Sequence, residues 1–426
     1  MKKRLAAVLA LMMLLSLTIP ALAQDDQPVV LEFMAISDWP DAVYPAIADA
    51  FNATHDDIKV EITFTASDEH HEKLLTRIAS DNAPDLAHVN DYNINVFSAK
   101  NALMDLTPYV EATYDIDQPG WGHFYPHLTQ THSPMGYPTG VPAEINVMCI
   151  GYNMEMIENA GLEDPYDLWK RGEWTWDVFL DYAQKLTTGE GTDKVYGFTS
   201  EEGIWWTANW VWSNGASFYN EDRTESLLTD DAFVEAVDFM FKLHSEYGIA
   251  PLCIAAENYP TSLVPAKRVA MWGDCLYYRA SFQNLPFDYG IVPWPVGPQG
   301  TQTGNWGSGL AFTIPANSPH PDEAWEVIEF FSNYENTKSM MANGGGGIPV
   351  VEAFESGVLV YEPPIHSEVY QECAATAVAA PWIPDNDLFM EVWNEARDQI
   401  AVGDMTAADG MAYVKEELDA LLASYQ

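Results

Sequence analysis

Aromatic and carboxylate side chains fall together at several points of this chain, in a pattern suited to holding a molecule rather than breaking its bonds. Trp39 follows the first apolar strand, Asp91-Tyr92 follows a strand ending near Asn90, and Trp272 and Asp274 follow Ala270-Met271. Trp205 and Trp206 stand together in GIWWTANWVWSNG. Flat indole and phenol faces cover apolar C–H surface, while Asp, Glu and Asn exchange hydrogen bonds with the polar rim of a ligand. In an open α/β sheet, ligands sit beyond the carboxyl ends of strands, which brings Trp39, Asp91 and Tyr92 to one cleft.

Reactive constellations are missing from the sequence. There is no G-x-S-x-G elbow and no H-E-x-x-H. Carboxylates are so abundant that a glycosidase-type pair can be drawn anywhere, so no pair carries information. His123, His127 and His132 share a face only if helical, yet Pro126 lies among them and no acidic or Cys partner is near, so no metal site is assigned. Asp385, Asn386 and Asp387 lack the Gly and terminal Glu of a calcium loop. The run Asn343 to Gly347 lacks the Lys-Ser/Thr of a phosphate loop and leads into Ile348-Pro349. It reads as a helix end approaching a cleft, with Gly345 and Gly346 offering backbone N–H groups. No cofactor is expected.

The elements that must position these residues are legible as alternating periods. Pro28 to Ile36 reads as a strand, and Val43, Ile47, Ala50 and Phe51 mark one face of a helix. Ile58, Val60, Ile62 and Phe64 alternate with polar residues as a strand does. Leu74, Leu75 and Ile78 predict a helix, and Asp85 to Val89 a further strand. This order predicts a three-layer α/β lobe with largely parallel strands. Later, Phe233 to Tyr247 form a helical stripe stopped by Gly248, Val269 to Trp272 and Gly309 to Ile314 read as strands, and Leu388 to Leu422 is mostly helical. Most of the 15 Trp must be scaffold. Trp174, Trp176 and Trp325 are expected to be buried on helices, and Trp210 and Trp212 to pack.

Lys2, Lys3 and Arg4, an apolar run from Leu5 to about Ile19, and Ala21-Leu22-Ala23 form a secretory signal with cleavage expected after Ala23. The run is shorter than the roughly 20 residues that span a bilayer, so no stable membrane insertion is expected. No Cys follows the cleavage site, which argues against a lipid anchor and for a periplasmic or secreted protein. The remaining length suits two lobes of about 150–200 residues each. A formal net charge of −44 opposes binding to nucleic acid or anionic membranes, both of which need clustered Lys and Arg. The four cysteines Cys149, Cys253, Cys275 and Cys373 match no metal spacing and leave three full pairings open, Cys253–Cys275 being the short-range candidate.

A collinear set of short motifs runs through the chain: Ser37-Asp38-Trp39 after the first strand, Ala83-Pro84-Asp85-Leu86-Ala87, Ala102 to Thr107, Gly140-Val141-Pro142 leading to Tyr152-Asn153, Trp174-Thr175-Trp176-Asp177, Ala270-Met271-Trp272, Glu323-Ala324-Trp325-Glu326 and Gly347-Ile348-Pro349. In this the chain resembles the extracellular solute-binding proteins, family 1, of ABC importers, whose sugar binders include maltose-binding-protein-like members. It departs from them at Met135-Gly136-Tyr137-Pro138, where an Asp-Gly-Lys turn is common, and at Gly273-Asp274-Cys275, where Gly-Pro/Ser-Trp is frequent.

The resemblance implies an α/β, two-lobe periplasmic-binding-protein fold (type II, clamshell) with discontinuous lobes. The expected division is lobe one at 24–142 and 306–355, and lobe two at 143–305 and 356–426. It implies a binding protein, not an enzyme, acting as a monomer that closes over a carbohydrate and meets the transmembrane subunits of an ABC permease. A polyol, a peptide or a cationic solute is the alternative ligand, and a secreted carbohydrate-active enzyme is the rival from another class. The candidate ligand contacts are Trp39, Asp91, Tyr92, Trp205, Trp206, Trp272, Asp274, Gly345 and Gly346. The resemblance adds Glu144, at the expected lobe crossing, and Trp382, ahead of the C-terminal helices where relatives place a stacking aromatic.

Overall fold

The computed structural model describes residues 27–37, 43–201, 203–220, 222–252, 255–301, 305–342, 347, 349–353, 355–356, 363–381, 383 and 385–424. The signal segment, Trp39, Cys253, Gly345, Gly346 and Trp382 lie outside the described residues.

The first sheet begins with β1 (Val29–Ile36), whose neighbours are β2 (Ile58–Thr65) and β3 (Leu86–Asn90), both parallel to it. Helix α1 (Val43–Thr54) joins the first two strands, and α2 (Ser67–Ala79) precedes the third. Val43, Ile47 and Phe51 recur at helical spacing and face the sheet, while Leu31, Phe33 and Ala35 supply its inner side. A two-pronged ion pair ties the layers: Arg77 donates to both carboxylate oxygens of Glu32, at 2.7 and 2.6 Å. Two later segments complete this sheet, β4 (Val141–Pro142) and β10 (Leu310–Thr313), the latter antiparallel to β3.

The second sheet has β5 (Asn146–Asn153) next to its centre, antiparallel to β7 (Val269–Cys275) and β8 (Tyr289–Val292), with β6 (Tyr196–Thr199) parallel to β7 at one edge. Helices α3 (Trp176–Leu186), α4 (Ile204–Ser213) and α5 (Asp231–Ser245) share its apolar core, as do α7 (Asn386–Val402) and α8 (Ala407–Ser424). Trp174, Trp176 and Trp325 are buried, as their types and neighbours predicted, and Trp210 is fully enclosed. Trp174 precedes α3 rather than lying in it, and Trp325 lies on α6 (Pro321–Ser332).

The chain crosses between the sheets in very short steps. Residues 143–145 separate β4 from β5, and Gly309 alone separates β9 (Gly307–Ser308), paired to β5, from β10. A Cβ on Gly309 would sit 2.0 Å from the Glu144 carbonyl oxygen, so the two crossings touch backbone to backbone and only glycine fits. Gly347 meets the same crossing, accepting from the Ile145 N–H at 2.9 Å.

One expectation is corrected here. The strand holding Trp272 does not end there but runs on to Cys275, because β5 pairs with it through Ile150↔Gly273, Cys149↔Asp274 and Met148↔Cys275. Among the described cysteines, Cys149, Cys275 and Cys373 are buried free thiols, and the candidate partner Cys253 lies outside the described residues. Burial pushes the Cys275 thiol well above its ordinary range, which leaves it a small core group rather than a reactive one.

Candidate functional site

A cleft of about 380 Å³ opens between the two sheets. The first lobe supplies its wall through Ile36, Asn90, Asp91 and Tyr92, which lie at or just past the carboxyl ends of β1 and β3. A tight turn follows β3, with the Asn93 N–H bonded to the Asn90 carbonyl at 3.0 Å. The Asn90 N–H donates to Nε2 of His71 on α2 at 3.2 Å, and its side-chain amide donates to the Tyr92 hydroxyl. His71 is enclosed beside His70, and this desolvation pulls it down to about 3, so it stays a neutral acceptor.

The second lobe contributes Met148, Glu201, Trp205, Trp206, Cys275, Tyr277 and Tyr278. Trp205 and Trp206 occupy the first turn of α4, which Gly203 and Ile204 open. The Trp206 ring lies over Gly273, where a Cβ would come within 2.7 Å of it, and stacks at 6.0 Å and 19° with Tyr278. Trp205 meets Trp306 edge to face at 5.4 Å and faces Tyr92, of the opposite lobe, at 4.9 Å and 34°. Asn209 fixes this corner: its amide donates to the Trp205 carbonyl at 2.8 Å and its oxygen accepts the Trp306 N–H at 2.7 Å.

Polar groups stand between the rings. Tyr277 donates to Glu144 Oε1 at 3.1 Å, and Tyr278 donates to Glu201. The Tyr277 side chain is 37% exposed, yet desolvation at its hydroxyl together with the carboxylates of Glu144 and Asp91 raises its phenol above the usual range. Burial does the same at Tyr278, with Cys275 and Glu201 adding to it.

Among the described candidates, Asp91, Tyr92, Trp205 and Trp206 come together in the cleft. Glu144 lies directly behind it, reached through Tyr277. Trp272 and Asp274 do not line it. Residues alternate along β7, so Cys275 faces the cleft and Gly273 the Trp206 ring, while Trp272 packs in the other core against Phe282 and Tyr289. Asp274 is wholly enclosed, accepting from the Cys275 N–H at 2.7 Å and from Trp272 Nε1 at 3.2 Å. Desolvation raises its carboxyl to about 7. His127 and His132 are buried and held near 3 by desolvation, and His123 stacks on Tyr114 at 5.5 Å.

Sequence reasoning missed Tyr277, Tyr278, Glu201, Asn146 and Trp306. The signal for the tyrosines was present: applying the strand-end rule at Cys275 rather than at Met271 leads straight to them.

The model of the bacterial extracellular solute-binding proteins matches residues 37–338. The chain belongs to this family. It is 25% identical over 416 residues to an uncharacterized lipoprotein in the oleD 5′ region of Streptomyces antibioticus, covering 94% of this chain and 87% of that protein. In fold this solute-binding protein is similar to the ABC substrate-binding protein of Listeria monocytogenes in complex with cycloalternan, with a TM-score of 0.80, 22% identity, and coverage of 93% of this chain and 99% of that one. It is also similar to the cyclic alpha-maltosyl-1,6-maltose binding protein of Arthrobacter globiformis, with a TM-score of 0.78, 18% identity, and coverage of 93% and 100%. The maltose-bound T. maritima MalE3 aligns with a TM-score of 0.75, 19% identity, and coverage of 92% and 100%. The two-lobe α/β architecture of solute-binding proteins is therefore the fold of this chain. None of its described helices is long and apolar enough to cross a membrane.

Proposed function

We propose that this protein is the extracytoplasmic receptor of an ABC importer, which captures a mono- or oligosaccharide by closing its lobes and presents it to the permease. The observation that carries this reading is the pairing of aromatic faces from Trp205, Trp206 and Tyr278 with the acceptors Asp91 and Glu201 in one inter-lobe cleft. A pyranose offers apolar C–H patches on its faces and hydroxyls around its rim, and this wall is complementary to both. Solved relatives of the same fold are described as bound to maltose or cycloalternan, which supports a carbohydrate here.

Closure needs a few residues that absorb the rotation, and the short crossings at 143–145 and Gly309 supply them. The expected division at 305/306 moves to Gly309, because β9 pairs with β5, and the lobes on this reading are 24–142 with 310–355, and 143–308 with 356–426. The protein is exported by its N-terminal signal to the periplasm or cell exterior, works as a monomer, and catalyses no reaction. A thermal-shift screen of sugars, polyols and peptides tests it, because a ligand at a hundred times its Kd stabilises by about 2.7 kcal/mol. Stabilisation by sugars supports the reading. Silence across the sugars with a response to peptides or polyols changes the ligand class, and turnover of a glycan detected by chromatography overturns the binding role.

A further inference from the structure

We infer that this cleft selects by charge, taking a sugar that carries a protonated amine ahead of its neutral parent and refusing carboxylated or phosphorylated sugars. The inference rests on the sugar reading above and adds to it the chemical class of the ligand.

The described cleft wall holds two carboxylates, Asp91 and Glu201, and no Lys, Arg or His. A third carboxylate, Glu144, stands one hydrogen bond behind the wall. Two of the three phenols in the wall already give their protons away: Tyr277 to Glu144 and Tyr278 to Glu201. Their oxygens therefore offer lone pairs to the cleft. Asn146, also in the wall, is 2% exposed and its Oδ1 has no hydrogen-bond partner. The charged groups of the described wall are thus all acceptors, so the ligand that gains most from them brings a charged donor.

A neutral hydroxyl brings one donor, whereas an ammonium brings three and a full positive charge. The aromatic faces favour the same choice, since Trp and Tyr rings attract cations through their quadrupole. With 63 Asp+Glu against 19 Lys+Arg over the whole chain, long-range steering has the same sign. An anionic sugar would meet the carboxylates of Asp91 and Glu201 in the described wall, and like charges brought together in an occluded site suppress binding.

The test is calorimetric titration of the full chain, at low salt, with glucose, galactose and mannose, each as the neutral sugar, the 2-amino sugar and the uronate. The pH is held below the usual amine range of about 7.7–8.0, so that the amino sugars are charged. At least one amino sugar is expected to bind about tenfold or more tighter than its neutral parent, with no uronate binding. Glu201→Gln should reduce that preference, read as the ratio of the amino sugar's affinity to its neutral parent's in the same variant. Equal or tighter binding of the neutral parents, or binding of any uronate, overturns the charge selection and leaves the sugar reading standing. An amine preference unchanged in both Glu201→Gln and Asp91→Asn also overturns it. Silence across all nine sugars overturns it as well, while the broader oligosaccharide panel decides separately whether the sugar reading survives.

Discussion

The phenol ring of Tyr92 lies 4.9 Å from the indole of Trp205, tilted by 34°, and the two residues belong to opposite lobes. Tyr92 follows β3 of the first sheet, and Trp205 opens α4 on the second. The contact bridges the cleft, so this pair of side chains reports how closely the lobes approach.

Trp205→Ala is expected to weaken sugar binding at least tenfold, about 1.4 kcal/mol. The ring lies at the mouth of the cleft, only partly buried, so the melting temperature of the ligand-free chain should move little. Calorimetry on wild type and variant measures this, and an unchanged Kd would remove Trp205 from the contact surface.

Trp272→Ala should behave in the opposite way. The side chain is fully buried, packed against Gly151, Phe282 and Tyr289. Truncating such a residue costs about 3–5 kcal/mol of stability. Urea titration should show a large loss of stability, while the fraction still folded keeps wild-type affinity; a tenfold loss of affinity with stability intact would place Trp272 at the ligand after all.

Asp274→Asn addresses a buried charge. The carboxyl is raised from 3.8 to about 7 by desolvation, partly opposed by the Cys275 N–H and Trp272 Nε1. Between those two values the folded chain holds a proton that the unfolded chain has released, so this group makes stability fall as pH rises through the window. The loss reaches at most about 4 kcal/mol above pH 7. Subtracting the variant's denaturation curve from wild type's should reveal this slope; parallel curves from pH 4 to 8 would show that Asp274 titrates normally.

Gly309→Ala should lower the melting temperature by several degrees and weaken ligand binding together. The added methyl collides with the Glu144 carbonyl at 2.0 Å, and relief requires the two crossings to separate. Differential scanning calorimetry and a titration on the same sample check both effects; a variant with wild-type values for each would show that the crossings tolerate separation.

The first lobe was legible because its elements carry clean periods: two-residue alternation at Ile58 to Phe64, and helical spacing at Val43, Ile47 and Phe51. Asp91 and Tyr92 followed from that, since the end of β3 is marked and the strand-end rule applies directly. The second lobe hid its site residues behind a boundary. Gly273-Asp274-Cys275 reads locally as a break, yet Gly273 is there because the Trp206 ring lies on it, and the strand persists because β5 pairs with it. That cross-strand partner is more than a hundred residues away in sequence, so no local pattern reveals it. Strand parity then turned Trp272 inward and left the cleft to Tyr277 and Tyr278. Glu201 and Trp306 belong to the same class, brought to the cleft by tertiary packing alone.

The most direct test of capture by closure is small-angle X-ray scattering of the full chain with and without a saturating sugar from the thermal-shift screen. The radius of gyration should fall on saturation, following the same titration curve as calorimetric binding. A radius that stays constant while the sugar is demonstrably bound would contradict the closing of the lobes over their ligand.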